Sequence, residues 1–126
     1  MLDYEQVNEK LTNMNKIKKS EPLGLSTFGL PISHYTYGNG INHVVISGAI
    51  HGSEIITTDL VLYLMENIPN YIDNNLFTIH FIPILNPEGY LISTSAIRSI
   101  IPREMPMHES QQIIKKYIKD YNAHDY

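Results

Sequence analysis

The sequence predicts an α/β fold: a mixed sheet with a parallel βαβ crossover and helices packed on the sheet. Three observations carry this. The apolar run Ile41–Ser47 holds Val44, Val45 and Ile46 in succession, as a buried strand does. Leu76–Ile84 is a second continuous apolar run, rich in β-branched and aromatic residues. Between them Ile56, Leu60, Leu64 and Ile68 recur at helical spacing, with Val61 and Met65 beside them. Two strands joined by a helix should lie parallel, adjacent or nearly so, with a right-handed connection.

The other elements follow in chain order. Tyr4, Val7, Leu11 and Met14 predict a helix over about Tyr4–Lys18, with Asp3 as N-cap and Gln6 completing a capping box. Ser20-Glu21-Pro22 ends it, and Lys16, Lys18 and Lys19 favour its C-terminus. Leu23–Phe28 and Pro31–Tyr37 read as short strands, and Gly38-Asn39-Gly40 as a turn leading by a hairpin into Ile41–Ser47. The crossover helix ends before Pro69. Asn86-Pro87-Glu88-Gly89 has the composition of a tight turn. Leu91–Met107 lacks firm periodicity and reads mostly as loop. Ile113, Ile114, Tyr117, Ile118 and Tyr121 form one apolar helical face opposite Lys115, Lys116 and Lys119. No repeat or linker divides the chain, so residues 1–126 read as a single domain.

Composition narrows the function. Apolar residues make up 43 % and charged residues 17 % of the 126 positions, as in a globular protein. A net charge of −4 gives no footprint for nucleic acid. Without cysteine there are neither disulfides nor thiolate metal sites. No apolar stretch reaches the roughly 20 residues of a membrane span. The N-terminus lacks the basic and apolar regions of a secretory signal, so the cytoplasm is the expected location.

The most informative stretch is His51-Gly52-Ser53-Glu54. It sets an imidazole and a carboxylate three residues apart at the C-terminal end of a strand, where open α/β sheets place their ligands. Gly48 and Gly52 permit a sharp exit from strand to helix. His51 and Glu54 are the donor types a zinc ion takes, and a catalytic zinc commonly has two histidines and one glutamate. The third donor is not identifiable. The pair alone also admits a structural reading, with His51 bound to a backbone carbonyl and Glu54 capping the helix through its dipole. His80 reads as a hydrogen-bonded residue of an apolar strand; His34, His43, His108 and His124 read as surface groups without a partner.

Ser47-Gly48-Ala49-Ile50-His51-Gly52-Ser53-Glu54 resembles the first zinc-binding signature of the zinc metallocarboxypeptidases, the pancreatic carboxypeptidase-like family. About thirty residues on, Pro83-Ile84-Leu85-Asn86-Pro87-Glu88-Gly89-Tyr90 is similar to that family's Asn-Pro-Asp-Gly-aromatic turn. The resemblance covers roughly residues 23–100. It implies Zn2+ as cofactor with His51 and Glu54 as ligands, a substrate that is a peptide with a free carboxylate, and a structural turn at Asn86–Tyr90 beside the cleft. It also implies a role for Arg98 beside the substrate carboxylate or the developing oxyanion, with Arg103 competing and a plain surface arginine as the other reading for both. Ser53 stands where pancreatic members carry a substrate-contacting arginine, so their subsite preferences do not transfer.

The family's second histidine ligand, its Asn-Arg clamp, its tyrosine and its general-base glutamate belong much later in a full-length domain. The resemblance therefore implies the N-terminal portion of a carboxypeptidase domain, truncated and inactive alone. Two alternatives stand beside it. Gly48–Glu54 also resembles the aspartoacylase and succinylglutamate desuccinylase deacylases, and a non-catalytic interaction module would use an unpaired sheet edge for self-association.

Overall fold

The computed structural model describes residues 1–100, 105, 106, 108, 109, 111–113, 115 and 116. Helices α1 (Tyr4–Thr12), α2 (Ile55–Asn67) and α3 (Pro87–Ile100) accompany strands β1 (Lys18–Lys19), β2 (Tyr35–Tyr37), β3 (Asn42–Ser47) and β4 (Phe77–Ile82). The four strands form one mixed sheet in the order β1-β2-β4-β3. β3 and β4 run parallel, from Asn42 opposite Phe77 to Ser47 opposite Ile82, and α2 connects them. The α/β class and the crossover are as the sequence predicts.

The capping box of α1 is complete: Gln6 N–H donates to Asp3 Oδ1 and Asp3 N–H to Gln6 Oε1, each at 3.0 Å. The helix stops at Thr12, a turn and a half short of expectation. Thr12 Oγ1 and Asn13 Nδ2 donate to the carbonyls of Asn8 and Glu9, side-chain competition of the kind that ends helices. Lys18 and Lys19 then pair with β2 instead of extending the helix.

The expected strand Leu23–Phe28 is a loop with a single bridge from Leu25 to Pro31. The expected strand Pro31–Tyr37 shortens to Tyr35–Tyr37. Nor does β2 form a hairpin with β3; it pairs antiparallel with β4. Gly38 and Gly40 explain the rerouting. A Cβ on Gly40 would lie 2.1 Å from the carbonyl carbon of Leu76, and one on Gly38 2.1 Å from the Phe77 oxygen. Lacking side chains there, the chain passes close over the start of β4 and reaches its other edge.

This places β3 at the edge, contrary to the expectation of a buried strand. Val45 is 64 % exposed, and no strand covers the outer edge of β3 among the described residues.

The packed face of α2 also differs. Ile55, Thr58, Val61, Leu62 and Met65 are buried, while Ile56 and Leu60 are exposed. A four-residue repeat drifts around a helix of 3.6 residues per turn, and α2 is apolar around most of its circumference. Thr58 fixes the rotation, its hydroxyl donating to the Pro83 carbonyl at 2.8 Å. The core on this side of the sheet joins Val7 and Leu11 of α1, Leu62 and Met65 of α2, Ile79 and Phe81 of β4, and Tyr90 and Ile97 of α3.

The segment expected to be a turn and a loop is α3. Asn86 caps it, its side chain accepting from Gly89 N–H at 2.9 Å, with Pro87 in the first turn. Its buried stripe is Tyr90, Ser93, Thr94 and Ile97. Ser93 and Thr94 interrupt the apolar pattern; Thr94 hides its hydroxyl by donating to the Tyr90 carbonyl at 2.8 Å. Beyond Ile100, positions 108, 109, 111–113, 115 and 116 are helical. The remainder of the helix expected around Ile113–Tyr121, with Arg103 and His124, lies outside the described residues.

Candidate metal centre

The site is built where β3 ends. Gly48 N–H donates to the Ile82 carbonyl, prolonging the ladder by one bond. Leu85 and Asn86 N–H groups then donate to the carbonyls of Gly48 and Ala49 at 2.9 and 3.0 Å, so the loop after β4 zips onto the loop after β3. Ala49 turns the corner with φ of +49°, fully buried, its N–H donating to Thr57 Oγ1 at 2.8 Å. A non-glycine residue in the left-handed region is costly, and this cluster of bonds holds it there.

Gly52 completes the interlock. A Cβ at this position would stand 2.0 Å from the carbonyl carbon of Gly89, in the first turn of α3. The two stretches singled out in the sequence therefore form one structural unit. Asn86 caps α3, Gly89 admits Gly52, and Tyr90 anchors the far side. Its ring is fully buried, its hydroxyl donates to the Leu2 carbonyl at 2.6 Å, and burial pushes its pKa well above the ordinary tyrosine value.

His51 and Glu54 project from this unit. Glu54 N–H donates to the His51 carbonyl at 3.1 Å, and the turn puts both side chains on one side. His51 Nδ1 lies 3.2 Å from Glu54 Oε1, with the side chains 62 % and 48 % exposed. Glu54 precedes α2 but makes no capping hydrogen bond. Its carboxylate turns to the imidazole, while the helix N-terminus still favours its charge. Two ligands of a tetrahedral zinc stand roughly 3.4 Å apart at ordinary bond lengths, so the two donors fit neighbouring corners of such a site. Ser53 sits half-buried between them. Among the described residues no third histidine, cysteine or carboxylate joins the pair.

Arg98 is not brought to this pair. It lies eleven residues beyond Pro87, about 16 Å along the axis of α3. Its guanidinium donates to the Met1 carbonyl at 2.6 Å and to Gln6 Oε1 at 3.2 Å, beside the Asp3 carboxylate. These contacts clamp the N-terminus to α3.

A contact that sequence reasoning missed borders the site. Glu88, in the first turn of α3, accepts from the Ser26 hydroxyl and from Phe28 N–H, which hold its carboxyl below the usual range despite an opposing desolvation. Residues sixty apart carry no local signal for this.

The family model of the zinc carboxypeptidases matches residues 5–122. The chain belongs to the zinc carboxypeptidase family. Among solved structures, a metallo-carboxypeptidase from Burkholderia cenocepacia superposes with a TM-score of 0.62 at 17 % identity, over 95 % of this chain and 38 % of that one. Bovine thrombin-activatable fibrinolysis inhibitor, solved with tick carboxypeptidase inhibitor, gives 0.53 at 19 % identity, over 71 % and 30 %. At such identities the likeness establishes the fold. The chain spans about a third of either structure's length. A search of curated sequences finds no match.

Proposed function

We propose that this member of the zinc carboxypeptidase family contributes two zinc ligands, His51 Nδ1 and a Glu54 carboxylate oxygen, to a site that hydrolyses the C-terminal peptide bond of a peptide. The observation that carries the reading is the 3.2 Å approach of these donors at the end of β3, in a family whose members are zinc carboxypeptidases. Zinc, when bound, supplies Lewis-acid polarisation of the scissile carbonyl and acidifies water.

The chain's own residues hold the donors. The Gly52–Gly89 contact and the Asn86–Ala49 hydrogen bond fix the loop from which His51 projects, and the start of α2 fixes Glu54. A third ligand, a general base and a carboxylate clamp are needed for turnover, and the described residues around His51 and Glu54 supply none. The 126-residue chain should accordingly bind zinc weakly and show no peptidase activity alone. Arg98 is absent from this mechanism because its Nη2 is engaged by Met1 and Gln6 at the far end of α3.

Isothermal titration with zinc tests the reading. Binding should weaken at least tenfold in His51→Ala and in Glu54→Ala, with far-ultraviolet circular dichroism unchanged. Equal affinity in wild type and both variants refutes it.

A further inference from the structure

On the face of the sheet opposite Ile79 and Phe81, three histidines from three successive segments meet. His34 immediately precedes β2, His80 lies mid-way along β4, and His43 lies in β3. Thr36 is the register partner of His80 on one side and Val45 on the other, so His34 and His43 are its diagonal neighbours across the two ladders.

His34 Nε2 is 2.9 Å from His80 Nδ1, and His80 Nε2 is 2.8 Å from His43 Nδ1. Adjacent ring planes are within 23° and 17° of parallel, with centroids 5.1 and 5.2 Å apart. Nitrogens this close along their ring N–H directions make the contacts edge-to-edge hydrogen bonds. The donors aim at one another, not at a common point. The three rings form a continuous chain across the sheet, so His34 and His43 are not the solitary surface groups their sequence context predicts.

Proton bookkeeping in such a chain is restrictive. Each nitrogen pair needs one proton between its members: none leaves two lone pairs facing, and two leaves two N–H groups facing. The two outer nitrogens, His34 Nδ1 and His43 Nε2, are each free to carry a proton or not. Three neutral imidazoles satisfy both bonds and leave one proton at an outer end. One further proton occupies the other end, with both bonds intact and the charge shared along the row. A second added proton has no place except inside a bond, which must open.

We infer that His34, His80 and His43 act as a single one-proton acceptor that fastens β3 to β4 near neutral pH and loosens it when a second proton enters. Several features support this. His43 is exposed, which gives solvent protons access to one end of the row. Among the described residues β3 has strand neighbours on one side only, so a cross-strand bond lost there is not compensated from the other. Burial, and then the neighbouring His34 and His43, hold the pKa of His80 below the ordinary histidine value.

The surroundings do not override the chain. From β1, the register puts beside Thr36 the exposed Lys18, the only charged side chain that the strand register brings to this part of the described sheet. Thr36 of β2, Val45 of β3 and Thr78 of β4 are uncharged, and Thr78 spends its hydroxyl on the Gly40 carbonyl. Among the described residues, no carboxylate pairs with any of the three imidazoles.

Side-chain nitrogen NMR of the histidine-labelled full chain, titrated from pH 8 to 4.5, tests the inference without zinc or substrate. The three rings should take up one proton collectively, with a second entering only in a separate step at lower pH. In the same window the protection of the β3 amides bonded to β4 should fall at least tenfold. His80→Gln can hydrogen-bond on both sides but cannot titrate, so the pH dependence of protection should disappear while the strand stays paired. His43→Gln, on the exposed strand, should leave a two-ring unit with a smaller dependence. Three independent titrations, or an unchanged pH dependence in both variants, would overturn the inference.

Discussion

Replacing Gly52 by alanine probes the joint on which the candidate metal centre rests. The added methyl group would lie 2.0, 2.2 and 2.4 Å from the carbonyl carbon, oxygen and Cα of Gly89. All three are backbone atoms in the first turn of α3, so no side chain can swing aside. Overpacking a rigid contact costs typically 1–3 kcal/mol, and a clash against helix backbone belongs at about 3 kcal/mol or above. For a chain of 126 residues each kcal/mol lowers Tm by about 4 °C, so the expected drop is about 12 °C. Relief requires the His51 loop to lift from α3, which separates His51 from Glu54, so zinc affinity should fall with stability. Thermal melting followed by near-ultraviolet circular dichroism reads the first effect, and zinc titration well below the new Tm reads the second. Gly24→Ala is the control, because a Cβ there meets nothing within 4 Å. A Gly52→Ala melt within 2 °C of wild type, with zinc affinity retained, would refute the interlock.

Two further outcomes follow from groups away from the candidate metal pair. Arg98→Met should destabilise by about 2 kcal/mol, because it removes charge-assisted bonds to Met1 and Gln6. Zinc affinity should stay within twofold; a selective loss of zinc binding would return Arg98 to the site. Asp59 titrates in the other direction from a paired acid: burial raises its pKa, and the positive N-terminus and Lys10 only partly oppose this. A raised folded-state pKa means the proton favours the folded form. Its contribution is full below the unfolded value near 4 and is lost as pH rises through the folded value. Asp59 Oδ1 has no hydrogen-bond partner among the described residues. Asp59→Asn should therefore raise Tm at pH 7 relative to wild type and lose that advantage at pH 3. Equal melting differences at both pH values would contradict the assignment.

The local chemistry of the chain determined a good deal. The capping box at Asp3 and Gln6, the separate strand and helix periodicities that make up the crossover from Ile41–Ser47 to Leu76–Ile84, and the His51–Glu54 pair at a strand end are all short-range patterns. Each depends on residues a few positions apart, where periodicity and capping chemistry act directly. Tertiary structure decided what depends on distant partners. Leu25 and Ile32 lie in a loop whose nearby Ser26 and Phe28 bind Glu88 sixty residues later. An apolar helix such as α2 carries too uniform a surface for its sequence to say which side faces the sheet, and the Thr58–Pro83 bond makes that choice.

The same distinction separates the two histidine groupings. His51 announces itself because its partner is three residues away. His34, His43 and His80 come from three segments, and they meet only because Gly38 and Gly40 carry the chain across β4, leaving β2 and β3 on its opposite flanks. Strand order is set by which backbones can approach closely, a property of the folded chain that no local window of residues contains.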